Sequence, residues 1–257
     1  MRMQTLFAVA LALLPASLQA QEPWTWNGAV AQGRSIEIKG VNGGVEARLA
    51  SGSQVRVIAH KHARRSDVES VKIEVVEHQA GVTICAVYPS PEGRPANECR
   101  PGEAGRNNVR NNDVHVDFTV EVPRGVDFIG RTVNGSIEGT GLQSDVQAHT
   151  VNGGIDIATT GLTRAQTVNG SVDVTVGRAD WQNELEIKTV NGGISFSVAG
   201  DLNADVTAST VNGDIDTEFP LTVRGRFGPK RLTGTIGSGG RGLLLTTVNG
   251  DIAIRKH

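Results

Sequence analysis

The stretch Thr150-Val151-Asn152-Gly153-Gly154-Ile155-Asp156-Ile157 returns almost unchanged as Thr167-Val168-Asn169-Gly170-Ser171-Val172-Asp173-Val174. Val-Asn-Gly occurs seven times in the 257 residues, at Asn42, Asn134, Asn152, Asn169, Asn191, Asn212 and Asn249. Six copies are preceded by Thr, at Thr132, Thr150, Thr167, Thr189, Thr210 and Thr247. Ile or Val follows two residues after each Gly, at Val45, Ile137, Ile155, Val172, Ile194, Ile215 and Ile252. From Asn134 onward the spacings are 18, 17, 22, 21 and 37. The last gap is double, and Arg231-Leu232-Thr233-Gly234-Thr235-Ile236 reads as a degraded copy filling it. Residues 126–257 thus predict about seven stacked units, since self-similarity at a short fixed period marks repeat architectures.

Each unit alternates. Val146, Ala148 and Thr150 share one parity before the corner. After it come Ile155 and Ile157, or Val172, Val174 and Val176. Period two is the strand period. The parity slips by one at each Asn-Gly, which marks a bend, and this pair tolerates positive φ best. Each Asn-Gly is then either the turn of an antiparallel hairpin or the corner of a β-solenoid coil. Near-constant spacing favours the solenoid, because stacked coils need corners over corners. The spacing resembles that of right-handed parallel β-helices. The predicted corners are Asn42-Gly43, Asn134-Gly135, Asn152-Gly153, Asn169-Gly170, Asn191-Gly192, Asn212-Gly213 and Asn249-Gly250. Their Asn amides and Thr side chains can hydrogen-bond up the stack. The Thr column shares the parity of buried Val and Ala, so it is expected inside.

The N-terminal half differs. Asn42 lies 92 residues before the next copy, and alternating segments between residues 35 and 122 predict a β cap or sandwich-like region over residues 21–125. Trp24 and Trp26 are expected to pack there. Residues 1–20 read as a secretory signal: Arg2, a short apolar run from Leu6 to Leu14, Pro15, and Ala20 at a cleavage site. Export leads to an oxidising compartment, where Cys85 and Cys99 are expected to pair and tie the base of a loop over residues 85–112. No later run of 18 apolar residues predicts a transmembrane segment. Without residues 1–20 the charges are 24 basic against 27 acidic, which argues against a nucleic-acid partner.

The residue after each Ile or Val is often acidic: Glu46, Glu138, Asp156, Asp173 and Asp216. Pointing outward, these acids form either a solvated stripe or, through Glu138, Asp156, Asp173 and Asp216, a weak cation stripe suited to Ca²⁺. A glycosidase needs two carboxylates in unlike environments, and a regular ladder supplies equivalent ones. His60 and His62 share a strand face, with His78 and His115 as candidate further ligands, but metal coordination needs a third or fourth ligand. No catalytic residue, metal site or cofactor is therefore assigned.

These residues resemble a known group. The Thr-Val-Asn-Gly-x-Ile repeats, the segment Ile36-Glu37-Ile38-Lys39-Gly40-Val41-Asn42-Gly43-Gly44-Val45 and the segment from Val116 to Val126 are similar to a bacterial β-strand-repeat family of unknown function labelled "putative adhesin". The resemblance covers residues 30–257. It implies a periplasmic or surface location and a binding role towards an envelope polymer or protein, without defining catalytic residues. The expectation is an exported, non-enzymatic binding or scaffold module. A polysaccharide-acting β-helix enzyme and a purely structural subunit are the alternatives.

Overall fold

The computed structural model describes residues 22–178, 181, 184–223 and 231–257; the signal segment lies outside them. Among the described residues the chain is all-β apart from one short 3₁₀ turn, Val68–Ser70. The strands form a ten-stranded and an eleven-stranded sheet. Each Val-Asn-Gly unit contributes one strand to each sheet, and neighbouring units pair in parallel. The Asn152 coil, for example, runs Val146–His149, corner, Ile155–Thr159, and pairs with its neighbours on both sides. Inward residues alternate as the sequence predicts: Val146, Ala148, Ile155 and Ile157 are fully buried, as is the Thr column. Hence the chain is a β-solenoid with seven Val-Asn-Gly coils.

Their spatial order departs from the sequence. The stack runs Asn42, Asn134, Asn152, Asn169, Asn191, Asn249, Asn212. The Asn249 coil, Gly242–Thr246 and Ile252–Lys256, inserts between the Asn191 and Asn212 coils. Ile252 and Ile254 are therefore interior, not an exposed end. The expected degraded coil is not one. Arg231–Ile236 lies antiparallel on Ala204–Ser209, and Leu221–Val223 lies antiparallel on it. With Leu232-Thr233 in place of Val-Asn, the segment cannot extend the corner ladder. Together these strands close that end.

The Asn42 unit, assigned to the cap region from sequence, stacks directly on the Asn134 coil. Below it lies a further parallel layer, Gly81–Val87 and His115–Val122. By register Lys39 faces Cys85 and Val45 faces Phe118. Where the Asn42 coil turns its corner with residues 40–44, this layer uses residues 86–117. The disulfide-tied stretch is thus an expanded corner. Cys85 and Cys99 are bonded, with Cα atoms 5.7 Å apart. Antiparallel strands then finish this end. Val55–His62 lies on His115–Val122, Trp24–Gly28 lies on Val55–His62, and Lys72–His78 lies on Gly81–Val87. Trp24 and Trp26 pack against the core from the edge strand.

Candidate binding surface

The corners form three parallel columns, each with its own chemistry. In the Asn column every side-chain amide donates to the Oδ1 of the coil before it, at 2.7–2.8 Å, from Asn134 to Asn42 through to Asn212 to Asn249. At the first coil Asn42 Nδ2 donates to the Val114 carbonyl. In the Thr column each hydroxyl donates to a Gly carbonyl one coil away, as Thr150 does to Gly135 and Thr167 to Gly153, both at 2.9 Å. The expected Thr ladder therefore exists as Thr-to-backbone bonds. It satisfies carbonyls that the bend leaves without a ladder N–H.

In the Gly column the reason for glycine is close approach. None of the corner Asn residues has positive φ, and of the seven corner glycines only Gly43, at 119°, Gly192, at 158°, and Gly250, at 151°, do. Positive φ is thus not what the seven corners share; close backbone approach is. A Cβ on Gly153 would overlap the Gly135 carbonyl, and one on Gly170 would overlap that of Gly153. Asn and Gly recur because each corner must lie flat on the next.

Between Thr and Asn stands Val, and it faces water. Val133, Val151, Val168, Val190, Val248 and Val211 are 37–50% exposed, whereas Val41 is buried. One β-branched side chain per coil gives an apolar ridge with a rise of about 4.8 Å per step. The Asn ladder and coil hydrogen bonds fix its spacing.

The acidic residues form a column on the outer face of the ten-stranded sheet. Glu46, Glu138, Asp156 and Asp173 occupy consecutive coils. Asp216 does not join them, because Ser195 and Ala253 come between. Burial, and then the Asp156 charge, raise the Asp173 pKa, while a hydrogen bond with Ser195 opposes the rise. Among the described residues no three His, Cys, Asp or Glu converge as a metal ion would require. His62 and His115 pair across strands with rings stacked at 5.2 Å. His78 lies apart, against Thr83.

The expanded corner carries groups that sequence reasoning left unassigned. Glu37 is buried beneath it and accepts from Thr83 Oγ1 at 2.8 Å, Gly102 N at 2.9 Å and Arg131 Nε at 3.0 Å. Lys39 Nζ donates to the carbonyls of Arg100, Gly102 and Ala104 at 2.6–2.9 Å. Burial lowers the Lys39 pKa, the Glu37 charge raises it, and the Arg131 charge lowers it. This buried network and the disulfide hold the loop on the sheet. Alternation with polar residues at Glu37 and Lys39 gave no sign that their partners lie sixty residues away.

Among the described residues no helix is long and apolar enough to cross a membrane. Residues 124–255 match the model of the Toastrack DUF4097 family, just over half of the chain. No curated protein gives a significant match. Similar solved structures include two bacterial ones. A "putative cell adhesion protein" from Clostridium sporogenes ATCC 15579 is 13% identical, with 92% of this chain and all of that one covered and a TM-score of 0.46. A "putative adhesin" from Bacteroides fragilis NCTC 9343 is 11% identical, with 92% and 98% covered and a TM-score of 0.38.

Proposed function

The chain belongs to the Toastrack DUF4097 family, and from that premise we propose that it is an exported, non-enzymatic binding module of the cell envelope. It holds an extended polymer or protein along the valine ridge. The observation that carries this reading is the row of six exposed valines on a ladder of Asn amides. An exposed apolar patch rimmed by polar groups marks an interaction surface, and a repeating one suits an extended ligand. The flanking Asn ladder keeps the ridge rigid, so little ordering cost opposes binding. Residues 1–20 and the Cys85–Cys99 pair support export, because disulfides persist in oxidising compartments.

The test is retention of the mature chain on immobilised peptidoglycan, envelope glycans and envelope extract. The triple substitution Val151→Ser, Val168→Ser, Val190→Ser should abolish retention without changing the far-ultraviolet spectrum. Retention unchanged by that substitution, or absent from every matrix, would overturn the assignment and leave a spacer role.

A further inference from the structure

At the expanded corner, beside the point where the Asn ladder ends on the Val114 carbonyl, two loops enclose an open groove of about 890 Å³. Residues 62–66 form one wall and residues 111–115 the other. One carboxylate joins them. Asp113 accepts from the amides of Arg64, Arg65 and Ser66, at 3.3, 3.1 and 2.8 Å. The Asp113 amide donates back to Ser66 Oγ at 3.1 Å. These contacts hold the Asp113 pKa down at about 2, with hydrogen bonds from the Ser66 side chain and amide the main cause. Asn111, with φ of 53°, is the one non-glycine residue with positive φ among the described residues. Such a conformation costs energy and persists where the surroundings impose it.

The result is a rigid wall from which Arg64 and Arg65 project, both exposed. Neither guanidinium makes an ion pair among the described residues. The stacked imidazoles of His62 and His115 line the same groove. The nearby acids are already engaged. The Asp113 oxygens face the three loop amides. Asp117 Oδ1 accepts from the Gly44 amide at 2.8 Å, and its Oδ2 lies 3.5 Å from His62 Nδ1. Apart from Ala63, every lining residue carries a polar or charged group.

We infer that this groove binds an anionic saccharide, with Arg64 and Arg65 clamping its carboxylate or phosphate group. Guanidinium forks match both anions in bidentate geometry. The loop backbone that carries the two arginines is already braced by Asp113, which limits the ordering cost to the side chains. The volume is that of a small-ligand site, and the Asn111 amide and the imidazole nitrogens offer partners to sugar hydroxyls. The site shares no residue with the valine ridge, so its test does not depend on the ridge.

The test is calorimetric titration of the disulfide-intact chain at low salt with trigalacturonate, inorganic phosphate and neutral galactotriose. At least one anionic probe should bind, and the neutral trisaccharide should not. Whichever anion binds identifies the group as carboxylate or phosphate. The double substitution Arg64→Ala, Arg65→Ala should weaken binding by about tenfold or more, as expected for loss of charge-assisted hydrogen bonds. Arg110→Ala, outside the groove lining, should leave it unchanged. Because both arginines are exposed, the melting temperature should hold. The assignment is overturned if neither anion binds, if galactotriose binds as well as they do, or if the double variant binds as tightly as the parent.

Discussion

Replacing Gly153 with Ala should be among the most damaging single changes to the rod, although it adds one methyl group to an exposed corner. The added Cβ overlaps the Gly135 carbonyl below it. The methyl cannot rotate away, because Cβ position is set by the backbone. The Asn152 corner must therefore lift off the Asn134 corner. Four hydrogen bonds join the two corners. They run from Gly135 N to Asn152 O at 3.0 Å, Asn152 N to Val133 O at 2.7 Å, Asn152 Nδ2 to Asn134 Oδ1 at 2.8 Å, and Thr150 Oγ1 to Gly135 O at 2.9 Å. At about 1 kcal/mol net each, losing them costs roughly 4 kcal/mol. The adjacent Gly154→Ala is the control. Its Cβ would meet only the Ser171 carbonyl, at 3.5 Å, and its φ is not positive. That substitution should fall within about 0.5 kcal/mol of the parent. Urea unfolding followed by circular dichroism, with m-values compared, gives both differences. A loss below about 1 kcal/mol for Gly153→Ala, or an equal loss for Gly154→Ala, would refute close stacking as the reason for glycine.

Thr167→Val keeps the buried shape but removes the donor to the Gly153 carbonyl, and should cost about 1–2 kcal/mol; a melting temperature equal to the parent's would contradict this. Cys85→Ser with Cys99→Ser should free the expanded corner, destabilising the chain by about 3 kcal/mol in the chain-entropy model. Limited proteolysis should then cut within residues 88–112 while the strand spectrum persists, and resistance to cleavage would show that the Glu37 and Lys39 network holds the loop alone. Asp173 has a folded pKa raised above its unfolded value of about 3.9. Its ionised form therefore weakens the fold, and that penalty appears as pH rises past the unfolded value towards the raised folded one. Asp173→Asn should stabilise the chain at pH 7 by up to about 0.5 kcal/mol, given its partial exposure. The gain should vanish below about pH 4; a gain that persists there would exclude relief of charge as the cause.

The repeat made much of this architecture legible. Period-two alternation gave the strands, and the shared parity of Thr150 with Val146 and Ala148 placed the threonines inside. Order was not legible. Every Val-Asn-Gly copy offers the same donors and acceptors, so the motif specifies a mate without saying which. The insertion of the Asn249 coil, and with it the separation of Asp216 from the other acids, could not be read locally. The role of glycine was misread for a related reason. Asn-Gly is a local turn signal, whereas Gly153 is required by a backbone one coil away. The groove was invisible because its two walls lie nearly fifty residues apart and are joined by contacts such as those of the Asp113 carboxylate, which no local pattern announces.

The inserted Asn249 coil also constrains when the rod can be completed. Domains generally fold from the N-terminus as the chain emerges. Residues 204–217 emerge before residues 242–256, yet their place is on the far side of them. At that moment the Asn191 coil presents a Val-Asn-Gly edge that the Asn212 corner can match. Any such early docking must be undone before Gly242–Thr246 and Ile252–Lys256 can enter. The final coils are thus assembled out of sequence, and on the proposed export route the emerging chain keeps its Asn191 edge open until residues 242–256 arrive.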